Sequence, residues 1–319
     1  MRTEIRDAAH DARFAHDALF YSGDADFVDR VGAFVVDAVA AREPVLVAVS
    51  VEKIERLRRE LGGDPDGVRF ADMAQLGHNP ARIIPAWREF VDEQTPSGRR
   101  FRGVGEPIWT ARSPSEVVEC ERHEALLNLA FADAPAWWVL CPYDTGSLPV
   151  PVLDGAKRNH PHLLDGTARR ESGAYRGLHD ASRPFDDPLP QPGGVVHEHP
   201  FGPDAQTLSA IRLRVGEATA AFGLGPSRSG DVILSVNEVV TNSVRHGGGA
   251  GVLRIWEEDS SLICEVADAG HIDDPLAGRG RPPADGGSGF GLWLANQLCD
   301  LVQIRSFATG SVVRLHVRR

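Results

Sequence analysis

The sequence predicts two α/β domains. The first is built on a mostly parallel sheet flanked by helices, and the second is an α/β sandwich with helices on one face of a mixed sheet. Three features point there. From about residue 15 to 161, short apolar runs alternate with stretches of helical periodicity, as in strands joined by crossover helices. Between 163 and 199 the chain turns rich in proline, glycine and charge, the composition of a linker with little regular structure. Beyond it come two helical stretches, an apolar strand pair, a glycine-rich loop, a third helix and a closing hairpin. At 319 residues the chain is long enough for two separate cores. The expected domains are 10–162 and 200–319, joined by 163–199.

In the first domain, Phe27, Val31, Phe34, Val35, Ala38 and Val39 form one apolar stripe and predict a helix over 24–42. Residues 45–49, VLVAV, are a continuous apolar run, which a strand covered on both faces requires. A charged helix over 52–61 stops at Gly62-Gly63. A strand over 68–72, a helix over 80–93 and a strand over 101–105 follow. Pro114 and Ser115 open a helix that runs to 132, and WWVLCP, 137–142, is the last strand. Polar residues fall where strands of an open α/β sheet would end, the usual place for a pocket. They are His16, Arg82, Glu106, His123, Glu124, Tyr143 and Asp144. As a cluster they define a candidate sensor pocket for a small molecule. Taken singly, His123 and Glu124 also read as helix-pairing residues, and Tyr143-Asp144 as a turn after Pro142.

Composition excludes several classes. Lys and Arg number 34 against 45 Asp and Glu, a formal charge of −11, and no basic run suggests direct nucleic-acid binding. The charged N-terminus has no apolar signal region and no stretch approaches the length of a membrane span, so a cytoplasmic protein is expected. Cys120, Cys141, Cys264 and Cys299 are dispersed, with no C-x-x-C pair, which speaks against a disulfide framework or a zinc site. His160-Pro-His162 and His197-Glu-His199 lie in linker-like sequence without ligands at matching spacing, and are not read as metal ligands.

In the second domain, Leu208, Ile211, Val215, Ala218 and Phe222 give the first helix its apolar face, and Gly223 stops it. The next helix, 231–247, buries Val232, Val236, Val240 and Val244. It also carries Glu238, Asn242 and Arg245 at i, i+4 and i+7, so a carboxylate, an amide and a guanidinium share a second face. Strands over 252–256 and 262–266 pair antiparallel, and Asp268 ends the second. Gly287, Gly289 and Gly291 then precede a helix, where backbone N–H groups and the helix N-terminus suit phosphate oxygens.

The ordered motifs NEVVTNSVRHG, VADAG, GGSGFGLWLANQL and TGSVVRLHV resemble the ATP-binding domain of the GHKL superfamily, in the branch of bacterial anti-sigma factor serine kinases. The family's acidic motif is often D-x-G-x-G, and this chain has Ile272 at the second glycine. The resemblance implies ATP and Mg²⁺. Asp268 would accept from the adenine amino group beside Gly270, and Asn242 would ligate Mg²⁺. Glu238 would be the general base, and Gly287, Gly289, Gly291 and Leu292 would lie along the nucleotide. Arg245 reads equally as a phosphate contact or as a cation suited to a helix C-terminus. Ser311 reads as a phosphate contact or a hairpin-turn residue.

The first domain resembles the MEDS sensory domain of methanogen and methylotroph regulators through HDALFYSGDADFV, GHNPARIIPAWREFVDE, GEPIW, ECERHEALLNLAF and LCPYDTGSL. That family is held to be a relative of RecA/KaiC-type ATPases that senses small molecules. No G-x-x-x-x-G-K-[ST] loop is present, so a degenerate, non-hydrolysing version of that fold is expected. Together the resemblances imply a ligand-gated serine/threonine kinase that phosphorylates an anti-anti-sigma partner of STAS type and sequesters a sigma factor. A non-catalytic ATP-binding docking module is the alternative. A sensor histidine kinase is disfavoured, because no long helical hairpin precedes the ATP domain. Related kinase domains often dimerise, so a homodimer is also allowed.

Overall fold

The structure is a computed structural model, and it describes residues 14–165, 168–178, 187–282 and 289–319. The chain divides into two compact units, Met1–Ala181 and Ser182–Arg319. Among the described residues of the first, the strands are β1 (Phe14–Tyr21), β2 (Val45–Val49), β3 (Val68–Asp72), β4 (Phe101–Gly105), β5 (Trp137–Asp144), β6 (His162–Asp165) and β7 (Ala168–Glu171). The helices are α1 (Gly23–Ala40), α2 (Val51–Leu61), α3 (Met73–Leu76), α4 (Ile83–Gln94), α5 (Pro114–Ala130) and α6 (Val150–Asn159).

The strands form one sheet in the order β3-β2-β4-β5-β1-β6-β7, parallel except for β6 with β7. Alternation along β1 sorts its side chains. Ala15, Leu19 and Tyr21 enter a core with Phe27, Val31, Phe34 and Val35 of α1, where burying each large side chain contributes about 1.5–3 kcal/mol. His16 and Ala18 turn to the opposite face of the sheet. Helix α5 opens with Ser113 in a capping box with Glu116. It buries Glu116, Glu119, Arg122, His123 and Glu124 as well as apolar residues, so it shows almost no amphipathic stripe.

The stretch expected to be a linker is partly sheet. β6 extends the parallel sheet beside β1, and β7 folds back on β6. The physical reason is Asp17, fully buried on β1, which accepts a hydrogen bond from Trp138 Nε1 at 3.0 Å and a two-pronged one from Arg169 of β7 at 2.6 and 3.0 Å. A buried carboxylate needs such a partner, and the linker sequence supplies it.

In the second unit the described strands are β8 (His197–Phe201), β9 (Gly251–Glu258), β10 (Ser261–Asp268), β11 (Leu301–Phe307) and β12 (Gly310–Arg318), with helices α7 (Ala205–Phe222), α8 (Pro226–His246) and α9 (Phe290–Leu298). The sheet order is β11-β12-β10-β9-β8, and every neighbouring pair is antiparallel, where a mixed sheet was expected. β10, α9 and β11 do make a crossover with both strands running the same way, but β12 inserts between them and pairs with each. The helix-on-sheet layering is as expected. Ile211, Val215 and Phe222 of α7 and Val232, Val236, Val239 and Val240 of α8 pack on Leu253, Val266, Val313 and Leu315 of the sheet.

The proline-rich segment also belongs partly to this unit. The carbonyls of Asp187 and Pro190 accept from Arg305 and Arg314 at 3.0 Å, and Leu189 is buried. Proline lacks a donor but keeps its acceptor, so such a segment can dock without joining the ladder. The four cysteines are free and buried, and burial pushes the thiols of Cys120 and Cys299 up to about 12. Among the described residues, no helix is long and apolar enough to cross a membrane.

Candidate functional site

Helix α8 starts with Pro226 at its first turn, where the missing N–H costs nothing, and ends at Gly247. Its valines fix its rotation against the sheet, and that rotation turns Glu238, Asn242 and Arg245 into a cavity of about 520 Å³. Asp268 and Gly270 at the end of β10 also line it, as do Gly289, Gly291 and Leu292 at the start of α9 and Ser311 on β12. These are the site residues read from the sequence, with one exception: Gly287 lies outside the described residues. The volume falls in the range of small-molecule sites.

The geometry gives some of them a further contact. Ser311 is one of the lining residues. It sits opposite Asp268 in the β10–β12 register, and its hydroxyl donates to Asp268 Oδ1 at 2.8 Å. The same oxygen accepts from the backbone N–H of Gly270 at 2.9 Å. One carboxylate oxygen is thus held by two donors, which fixes the plane of the group and directs Oδ2 as the free acceptor. Ser311 thus braces Asp268 from the neighbouring strand while lining the cavity.

Two glycines act by close approach. A Cβ on Gly270 would lie 2.5 Å from Gly247 Cα and 2.9 Å from the carbonyl of His246, so the strand end and the end of α8 touch backbone to backbone. The lack of a side chain at Gly270 is what admits the end of α8. Gly291, in the first turn of α9, packs on the polar stripe of α8, where a Cβ would meet Asn242 Nδ2 at 2.7 Å and Glu238 Oε2 at 3.2 Å. Gly291 therefore sits under the carboxylate and amide while lining the cavity. Gly291→Ala is accordingly expected to push the Asn242 amide and the Glu238 side chain aside and cost about 1 kcal/mol of stability, the low end of the overpacking penalty. A thermal melt of the full chain reads that directly, and an unchanged midpoint would contradict the contact.

The cavity also includes Val239, Ser243, His246 and Gly247 from α8, His271 and Ile272 after β10, Phe290 from α9 and Val313 from β12. The sequence reading did not pick out these residues: 239, 243 and 246 each follow a predicted site residue by one position, about 100° further round the helix, and Val239 and Ser243 belong to its buried side. Ile272, standing where a glycine is common, packs against the core and donates its N–H to Ser306 Oγ at 2.8 Å. His271 Nδ1 lies 2.9 Å from the same hydroxyl. Arg245 lines the cavity and also stands in the last turn of α8, a position compatible with either of its readings. The first residues of α9 bring the N-terminus of that helix to the wall, with Gly289 as its cap at a φ of 104°. Unsatisfied N–H groups there suit an anion.

The sensor residues of the first unit do not form one pocket. His16 and Glu124 meet, with Nε2 to Oε2 at 3.0 Å, and Tyr143 approaches the same place through an edge contact with His160, ring centroids 5.6 Å apart. Glu106 lies elsewhere. It accepts from Tyr21 at 2.6 Å and from Lys53 at 2.6 Å, next to the C-terminal ends of β1 and β4. Burial pushes the Glu106 carboxyl up, against the pull of the Lys53 ammonium. Asp144 closes the turn after β5, accepting from Gly146 N at 3.0 Å and Ser147 Oγ at 2.8 Å. Arg82 ends a short 3-10 turn before α4, and His123 is buried within α5. The spread follows from strand polarity: Tyr21 and Asp144 end adjacent strands, whereas His16 lies five residues earlier, inside the sheet.

The family model of the MEDS domain, the methanogen/methylotroph DcmR sensory domain, matches residues 15–161. The model of the histidine kinase-like ATPase domain matches residues 201–317. No curated protein matches the chain. Among 13 solved chains that match is the crystal structure of the RsbU and RsbW domains of Rv1364c from Mycobacterium tuberculosis. It is 20% identical, with a TM-score of 0.31, over 39% of this chain and 32% of that one. The match thus spans under a third of that protein's length. By its motifs and its two family matches, the chain joins a MEDS domain at its N-terminus to a histidine kinase-like ATPase domain of the GHKL type at its C-terminus.

Proposed function

We propose that the protein is an anti-sigma regulatory kinase: it binds ATP with Mg²⁺ in the α8–β10–α9 cavity and transfers the γ-phosphate to a serine or threonine of an anti-anti-sigma partner of STAS type. In this reading it also sequesters a sigma factor, acts in the cytoplasm, and is gated by a small molecule at the MEDS domain. The observation that supports it best is the pairing of Glu238 and Asn242, one turn apart on α8, on the wall facing the braced carboxylate of Asp268.

The residues suit the groups assigned to them. Asp268 offers a fixed carboxylate acceptor at the closed end of the cavity, which fits an exocyclic amine. The Asn242 carbonyl is a hard oxygen donor of the kind Mg²⁺ takes alongside phosphate oxygens and water. Bound Mg²⁺ would neutralise charge on the phosphates. Glu238 is partly buried yet lines the cavity, so it can accept the proton of an incoming hydroxyl while water is held back by α9. The N-terminus of α9 adds N–H donors for the phosphate oxygens.

The chemistry of the product tests the reading. The full chain, labelled ATP and a STAS-type partner are expected to give an ester phosphate on that partner, stable to acid. Label that appears on histidine and is lost in acid would make the protein a histidine kinase instead. Binding of ATP with no transfer to any such partner would favour the docking module.

A further inference from the structure

The nucleotide site leaves unused a buried cluster in the first unit. His16 on β1, Glu124 on α5, Cys141 on β5 and His160 just after α6 bring one ligand-type atom each to a common point, all within 4.8 Å of one another. None is more than 1% exposed. We propose that these four side chains bind one divalent transition-metal ion, with zinc the best chemical match.

Proton bookkeeping leads there. Asn128 Nδ2 donates to the carbonyls of Glu124, Ala125 and Asn159, so its Oδ1 faces His16 Nδ1 at 3.0 Å and takes that ring's proton. His160 Nδ1 stands 2.8 Å from the carbonyl of Ala156, which can only accept. Both rings therefore give their Nδ1 protons to the scaffold and turn Nε2 toward one atom, Glu124 Oε2, at 3.0 and 3.3 Å. In neutral imidazoles those nitrogens carry lone pairs. Lone pairs and a carboxylate oxygen facing each other in a dry space need positive charge between them, which a proton on one ring or a metal ion can supply. His160 Nε2 and Glu124 Oε1 in fact make no hydrogen bond.

A metal ion meets each requirement. A ring N–H given to a carbonyl is the arrangement that orients metal-binding histidines. Cys141 Sγ lies 3.4 Å from His16 Nε2. Bonds of about 2.0–2.3 Å in a tetrahedral site separate ligands by roughly 3.3–3.8 Å, so a small outward adjustment admits the ion. A thiolate and a carboxylate cancel the charge of a divalent ion, which a fully buried site needs. Two nitrogens, one sulfur and one carboxylate oxygen suit zinc and not the all-oxygen ions. The thiolate would form as the ion displaces the Cys141 proton to solvent.

The test uses the full chain without nucleotide. After exhaustive dialysis, elemental analysis is expected to find one zinc per chain. The stripped protein, refilled with Co²⁺, should show tetrahedral d–d bands and a thiolate-to-cobalt charge-transfer band. Cys141→Ser should remove the charge-transfer band. Asn128→Leu keeps all four ligands but frees the His16 ring, and should weaken zinc binding by roughly 10–100-fold. Should either variant fail to fold, zinc K-edge absorption of the wild type reads the donor set directly, with one sulfur and three nitrogen or oxygen neighbours expected. A wild type that is folded by circular dichroism yet takes up neither metal overturns the proposal. So does a cobalt spectrum unchanged in Cys141→Ser, or a donor set without sulfur.

Discussion

Asp268→Asn is expected to weaken ATP binding by about 100-fold or more, measured by calorimetry on the full chain. The reason lies in how the carboxylate is held. Oδ1 accepts from Gly270 N and Ser311 Oγ, so it must stay an oxygen in the variant. The new NH₂ group then takes the place of Oδ2, the acceptor offered to the adenine amine. An acceptor becomes a donor facing a donor. Loss of a hydrogen bond to a charged group costs about 1.5–3 kcal/mol, and the mismatch adds to it. Each 1.4 kcal/mol is tenfold in affinity. Unchanged affinity would remove Asp268 from the base pocket and with it the orientation of the nucleotide.

Glu238→Ala should lower phosphoryl transfer by about 10²–10⁴-fold, the usual contribution of a general base, while ATP affinity changes little. Glu238 packs beside Gly291, so truncation also opens a gap under α9. Glu238→Gln keeps the packing and removes the basicity, and it separates the two effects. Single-turnover assays with the STAS-type partner are the measurement. If Gln transfers phosphate as fast as Glu, the carboxylate is not the base. If Ala loses nucleotide binding while Gln keeps it, the side chain supports α9 rather than the chemistry.

Local patterns in the sequence carried much of this. The valine stripe of α8 fixes which residues face the sheet, so the opposite row, Glu238 to Arg245, had to face something else. Spacing on one helix is legible because the helix period is fixed. The role of Ser311 was not legible: only the β10–β12 register sets its hydroxyl on Asp268. Nor was the antiparallel sheet, because nothing local says that the final strand inserts between β10 and β11. Arg169 likewise reads as linker charge until Asp17, far away in the chain, is seen to need it.

The sequence by itself determined the two α/β units, the helix that presents the polar stripe, and the residues that meet in the second unit's cavity, since each rests on periodicity or on motifs a few residues long. Only the tertiary structure decided the metal-type cluster. His16, Glu124, Cys141 and His160 sit on β1, α5, β5 and the end of α6, and their separations in the chain follow no ligand spacing. Parallel strands bring distant segments side by side through crossover helices, so neighbours in such a sheet are set by topology and not by sequence distance. Burial then decides their chemistry. The same histidines and cysteine exposed in a loop would be solvated, whereas inside the sheet their polar atoms have only one another, a proton or a metal ion to satisfy them.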